Sequence, residues 1–153
     1  MSSYVLAFLI GVAAGLRSMT APAAVSWAVR FGWLHVENSP LAFLGFAGTR
    51  YLVSALAIGE LVADKLPKTP SRKAPAGFVV RLVSGAVCGA AIAARSENLL
   101  GVLAGVLGAI AGTLGGYEVR SRLVRAIGGK DLPIALLEDA VAICASFLIL
   151  SRC

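Results

Sequence analysis

Apolar segments long enough to cross a bilayer recur along this 153-residue chain, with little sequence between them from which to build anything else. A spanning helix uses about 20 residues, so five such segments would consume roughly two thirds of the chain. With 58% hydrophobic and only 14% charged residues and a mean hydropathy of +0.85, the composition lies outside that of soluble globular domains. The expected fold class is all-α: a single polytopic transmembrane bundle over residues 1–153 with about five spanning segments.

The first segment runs from about Tyr4 to Ala28, and Arg17, Ser18, Thr20 and Pro22 fall in its middle. It is therefore either one kinked helix or two half-helices. A cleaved signal peptide is not expected, because no Lys or Arg precedes the apolar run and an arginine interrupts it. Trp33 and His35 follow in a short amphipathic connection, where an interfacial belt places such side chains. Ser39 and Pro40 read as the N-cap and first residue of a second helix reaching about Asp64, with Arg50 and Glu60 along it. The Lys65 to Pro75 stretch, with three prolines and four basic residues, reads as an exposed loop.

A third helix is expected from about Ala76 to Ala94. The turn Arg95-Ser96-Glu97-Asn98 leads into a fourth, Leu99 to about Tyr117, giving an antiparallel hairpin. Gly85 and Gly89, Gly101 and Gly105, and Gly108, Gly112 and Gly116 are spaced by four, which creates small faces for close helix packing. Glu118 to Asp131 reads as a polar loop in which Gly128-Gly129-Lys130 marks helix termination. Pro133 opens a fifth segment ending near Leu150.

Orientation follows from the basic residues. With Arg17 and Arg81 set aside as intramembrane, the loops after the second and fourth helices carry eight: Lys65, Lys68, Arg72, Lys73, Arg120, Arg122, Arg125 and Lys130. Arg30, Arg50, Arg95 and Arg152 lie elsewhere. Those two loops are then cytoplasmic. If all five segments span, the N-terminus is cytoplasmic and the C-terminus periplasmic.

The net charge of +6 does not point to nucleic acid, because the basic residues sit beside apolar segments where they set orientation. Cys88, Cys144 and Cys153 form no CxxC pair or Cys/His cluster, so neither a disulfide framework nor a metal site is implied, and no cofactor is expected. HExxH, G-x-S-x-G and GxxxxGK[ST] are all missing, and the chain is not expected to be an enzyme.

The candidate site consists of charges within apolar segments: Glu60, Asp64, Glu138, Asp139, Arg17 and Arg81. At 1.5 Å per helical residue, Glu60, Arg81, Glu138 and Asp139 fall at one level, roughly 10 Å or less from the helix ends on the cytoplasmic side. Asp64 lines the way out, and Arg17 lies deeper. Charges at that depth cost at least about 2.5 kcal/mol each, so they should face inward and pair or meet water. Arg17 or Arg81 would pair with Glu60 and with Glu138 or Asp139. Adjacent residues point about 100° apart on a helix, so only one of Glu138 and Asp139 need face the site. The set is either an ion-pair lock between helices or a binding site. A faint internal echo, Arg17-Ser18 against Arg81 to Ser84 and Gly59-Glu60 against Leu137-Glu138, is of the kind transporter repeats produce.

Three motifs carry a resemblance. Gly15-Leu16-Arg17-Ser18-Met19-Thr20-Ala21-Pro22, Gly59-Glu60-Leu61-Val62-Ala63-Asp64-Lys65-Leu66-Pro67 and Leu137-Glu138-Asp139-Ala140-Val141-Ala142 resemble the domain-of-unknown-function family 4126, small bacterial membrane proteins. The resemblance implies a bacterial inner-membrane location and directs attention to Arg17, Glu60, Asp64, Lys65, Glu138 and Asp139. The expected partners are the lipid bilayer, further copies of the chain in a homo-oligomer, and a small ion or polar solute. The function is then transport of that ion or solute, or a structural scaffold whose buried charges lock the helices.

Overall fold

The computed structural model describes residues 2–65, 74–96 and 98–153. Among them are six α-helices and one 3-10 helix, and no strand. The helices are α1 (Ser3–Leu16), α2 (Thr20–Arg30), the 3-10 turn Pro40–Gly45, α3 (Ala47–Ala63), α4 (Pro75–Ile92), α5 (Asn98–Ala126) and α6 (Asp131–Leu150). Three of them, α4, α5 and α6, are long and apolar enough to cross a membrane.

The first apolar segment is not one continuous helix. α1 stops where Arg17 adopts an extended conformation, φ −140° and ψ 115°, and α2 begins three residues later. At 1.5 Å per residue, α1 is about 21 Å long and α2 about 16 Å, both short of a hydrocarbon core of about 30 Å. α1 runs parallel to α5, with Gly11 against Gly105 and Gly15 against Ala109 and Gly112. α2 runs back antiparallel to α3: Trp27 Nε1 donates to Ser54 Oγ at 3.0 Å, while Thr20 and Leu61 line one small cavity. The segment is thus a hairpin with its tip at Arg17–Met19 inside the bundle.

That reversal corrects the expected topology. Ser3 and Leu6 share a cavity with Gly32 to His35, Ile92, and Leu150 to Cys153, so both chain termini lie at one end of the bundle. This terminal face holds the start of α1 and the ends of α2, α4 and α6. The opposite turn face holds the end of α3, the turn between α5 and α6, and the start of α4. Opposite sides for the two termini rested on five crossings, whereas α4, α5 and α6 are the described helices long and apolar enough to cross a membrane.

The core gathers where the hairpin meets the other helices: Leu6, Ile10, Ala14, Val25, Ala28, Leu34, Val36, Ile92 and Leu150 are buried in one cluster. Large apolar side chains such as Leu107, Leu136 and Leu148 cover the outside of α5 and α6.

Glycine makes the inner contacts close. A Cβ on Gly105 would lie 2.0 Å from the Gly85 carbonyl oxygen, and one on Gly89 2.2 Å from that of Gly101. Further around α5, a Cβ on Gly108 would meet the Phe8 oxygen at 2.0 Å and one on Gly112 the Val12 oxygen at 2.2 Å. α5 therefore presents glycine to α4 on one side and to α1 on the other, within a single chain.

Other boundaries differ from the sequence reading for local reasons. Ser39 does cap, its Oγ accepting from the Leu41 N–H at 3.2 Å, but Pro40 opens a 3-10 turn that breaks at extended Phe46 before α3 begins. Glu118 to Ala126 is helix rather than loop. Arg122 Nε donates to Glu118 Oε1 at 2.8 Å in an i,i+4 pair, which supports the helix through the charged stretch. α5 ends where Gly128 and Gly129 take φ of 82° and 88°, and the Gly129 N–H reaches back to the Val124 oxygen at 2.8 Å. Most of the basic Lys65 to Pro75 loop, including Lys68, Arg72 and Lys73, lies outside the described residues, as does Glu97.

Candidate functional site

The hairpin tip carries the chemistry. Because α1 ends at Arg17 and α2 starts at Thr20, the intervening backbone has polar groups with no helical partner of their own. The carboxylate of Glu60, on the last turn of α3, takes them up: Oε1 accepts the Ser18 N–H at 2.9 Å and its hydroxyl at 2.7 Å, and Oε2 accepts the Met19 N–H at 2.8 Å. A carboxylate at this position also faces the positive end of the α2 dipole. From the other side, Ser84 of α4 donates its hydroxyl to the Ser18 carbonyl oxygen.

Arg17 is fully buried and ion-paired in two directions, with Asp64 at the end of α3 and with Asp139 in α6. Asp139 uses its second oxygen for Lys65, whose Nζ lies 2.6 Å away and also donates to the Leu61 carbonyl oxygen at 2.9 Å. Arg120, on the stretch of α5 expected to be loop, continues the chain of charge. Its guanidinium lies 3.9 Å from Asp64 and 3.3 Å from Glu138, and it holds Asp131 through Nε at 2.9 Å and Nη2 at 2.6 Å. Along Arg17, Asp64, Arg120 and Asp131 side-chain exposure rises from 0% through 15% and 17% to 54%. The network leads from the interior to the turn face.

Four of the six residues singled out in the sequence meet around the hairpin tip: Arg17, Asp64 and Asp139 in one ion-paired group, with Glu60 beside it. Arg17 is the most buried of the group, at 0% side-chain exposure against 15% for Asp64 and 10% for Asp139. Glu138 and Asp139 diverge as neighbours on a helix must, Asp139 toward Arg17 and Glu138 toward Arg120. Arg81 is buried in α4 with its Nη1 beside Gly77, toward the helix start. Residue chemistry in the sequence does not point to four of the participants. Arg120 was assigned to a loop, Lys65 entered only through the family resemblance, and the Ser18 and Met19 amides carry no sequence signal. The i,i+4 spacing of Glu118 and Arg122 is the clue that would have extended α5 through Arg120.

A second cation sits away from this network. Arg50 is buried in α3 with its guanidinium 4.9 Å from the Trp27 ring centroid and 5.2 Å from that of Tyr51. Ser54, which accepts from Trp27, donates to the Arg50 carbonyl oxygen at 2.7 Å. This clamp fixes the returning half-helix against α3.

A hairpin that ends on paired charges contributed by the Arg17, Glu60-Asp64-Lys65 and Glu138-Asp139 motifs is the setting for the comparison with known proteins. The family model for a domain of unknown function, DUF4126, matches residues 4–151. The chain belongs to this family. The DUF4126 match takes in every residue of the network, from Arg17 to Asp139. No curated protein and no solved structure matches the chain. Among the described residues, no group of His, Cys, Asp and Glu is arranged to hold a metal ion.

Proposed function

We propose that this DUF4126 chain is an integral protein of the bacterial inner membrane that moves a small ion or small polar solute, with Asp139 and Asp64 as the binding groups and Arg17 as their internal counter-charge. The observation that carries the reading is the hairpin ending inside the bundle on Arg17, held between aspartates from two different helices. Broken helices that end at mid-depth beside charged groups are how many transporters build a site. The three long apolar helices and the apolar exterior support the membrane setting.

In this reading Asp139 is the exchangeable element. One oxygen serves buried Arg17 and the other serves Lys65, so a cation arriving from the turn face competes with Lys65 without uncovering Arg17. Thr20 Oγ1, buried at the first residue of α2, has no hydrogen-bond partner among the described residues and offers one more polar contact near the tip. The basic residues Lys65, Arg120, Arg122, Arg125 and Lys130 gather at the turn face, which the positive-inside rule makes cytoplasmic. Both termini are then periplasmic. Gly105, Gly108 and Gly112 are used within the chain, so assembly of several copies would draw on the outer face of α3, where Gly48 and Gly59 have nothing within 4 Å of a built Cβ.

The scaffold reading has one observation in its favour: each charge at the tip already has a partner, as a lock between helices requires. Purified protein in liposomes separates the two. Transport predicts ion- or pH-gradient-dependent flux that Asp139→Asn abolishes while the protein stays folded. Absence of flux for every ion and solute tried, with Asp139→Asn unfolding the bundle, would establish the lock instead.

A further inference from the structure

α5 and α6 are joined by a short turn yet diverge, and α1 lies behind the gap. The result is a cavity of about 330 Å³ with Val12 and Leu16 as its floor, Gly115 and Gly116 on one wall and Leu137 and Val141 on the other. Leu123 and Ile134 line its part nearest the α5–α6 turn, and the charged side chains along it are Arg120 and Glu138. Those two bond to one another at 3.3 Å. The walls are apolar apart from this pair, which Leu123 and Ile134 separate from the turn end. Away from that pair, a small hydrophilic solute has nothing to bind in such a space.

The surface beyond that end is basic. Residues 118–131 carry Arg120, Arg122, Arg125 and Lys130 against Glu118 and Asp131. Arg122, Arg125 and Lys130 are exposed. Basic residues beside the end of a membrane helix attract anionic headgroups, by about fivefold in occupancy for each side chain near the surface.

We propose that the groove between α1, α5 and α6 is a binding site for one acyl chain of an anionic glycerophospholipid, whose phosphate meets the basic end of α5. The inference rests on the membrane-spanning reading above but not on transport. Glycine at 115 and 116 provides the width. A Cβ built on Gly115 meets nothing within 4 Å, so the helix accepts a side chain there and the added atoms fill the groove.

The test uses the full chain in phosphatidylcholine vesicles containing a trace of phosphatidylglycerol with a photoactivatable group on its acyl chain. A parallel sample carries the same group on phosphatidylcholine. Adducts are mapped by peptide mass. The phosphatidylglycerol probe should label the stretches around Gly115–Leu123 and Leu137–Val141 at least about fivefold more than the phosphatidylcholine probe. Gly115→Leu should remove that labelling while adducts at lipid-facing Leu148 persist. Val141→Trp, filling the groove from the other wall, should do the same, and Arg122→Gln with Arg125→Gln should lower phosphatidylglycerol labelling to the phosphatidylcholine level. Equal labelling by the two probes, or labelling unaffected by both groove-filling variants, would overturn the site. Alkaline extraction of the same vesicles distinguishes the deeper failure: a chain that washes off overturns the membrane reading and the groove with it. A chain that stays inserted but lacks selective labelling overturns the groove alone.

Discussion

Glu60 holds Ser18 by both its backbone N–H, at 2.9 Å, and its hydroxyl, at 2.7 Å, so the turn between the two half-helices is fastened to α3 by a single carboxylate. The same side chain also accepts from Met19. Glu60 is thus first a capping group, and its substitution reports on the hairpin rather than on flux. Glu60→Gln retains one carbonyl acceptor but presents an amide N–H₂ to one of the backbone donors. It should cost about 1–3 kcal/mol, the range for leaving a buried donor unpaired. Thermal unfolding in detergent measures this, and faster amide exchange at Ser18 and Met19 would locate the loss. An unchanged melting temperature would remove Glu60 from the hairpin's support.

The pairing of Arg17 with Asp64 and Asp139 predicts strong coupling. Arg17→Gln leaves two carboxylates facing each other near the tip, and a broken buried pair typically costs about 3–5 kcal/mol. Adding Asp139→Asn removes part of that repulsion. The double variant should therefore be more stable than the sum of the singles by at least about 1 kcal/mol in a double-mutant cycle. Additive losses would mean that the two residues do not sense each other.

The glycine contacts predict a contrast between two helices. Gly105→Leu places a side chain where even a Cβ would be 2.0 Å from the Gly85 oxygen, whereas Gly59 has open space. Gly105→Leu should prevent stable folding of the single chain, not only its assembly with other copies. Gly59→Leu should change stability by no more than about 0.5 kcal/mol, as surface changes do. Size-exclusion profiles with thermal melts decide between them. Equal tolerance at both positions would contradict the close approach of α4 and α5.

Topology gives a fourth test. On the membrane reading Cys153 and a cysteine placed at Ser3 should both react with an impermeant thiol reagent from outside intact cells, while one at Ala126 should not. The Cys153 thiol donates to the Ile149 carbonyl oxygen at 3.7 Å, and desolvation pushes its pKa up from the ordinary value. Since the thiolate is the reactive form, Cys153 labelling should be slow near neutral pH and accelerate as pH rises. Reaction at Ser3 and Cys153 from opposite sides would disprove the hairpin.

Helical class, the apolar segments and several punctuation marks were legible in the sequence. Gly128-Gly129 stops α5 because positive φ suits glycine there, and Pro75 stands at the start of α4. The polar centre of the first segment was visible as well, since Arg17 cannot be left unpaired among apolar residues. The direction of the chain after Arg17 was not visible. Ser18 and Met19 carry no turn signature, and the reversal depends on Glu60 and Ser84 being in place to satisfy that backbone. Partner choice was hidden for the same reason. Glu60, Asp64 and Asp139 were visible as charges within apolar segments, but which cation each would meet depends on how the helices are rotated.

On the membrane reading, the buried arginine at the hairpin tip also predicts an order of assembly. Synthesis proceeds from the N-terminus, so Arg17 leaves the ribosome long before Asp64 and Asp139, the two side chains that neutralise it. Until α3 and α6 have arrived, the half-helices have nowhere to settle at depth, because their tip would carry an uncompensated charge into an apolar environment. On the membrane reading, the first segment made should then wait near the membrane surface and be the last to seat, closing the bundle from within. A nascent chain truncated before Asp139 would keep its N-terminal hairpin accessible to water, and release of the final helix would be the event that draws it in.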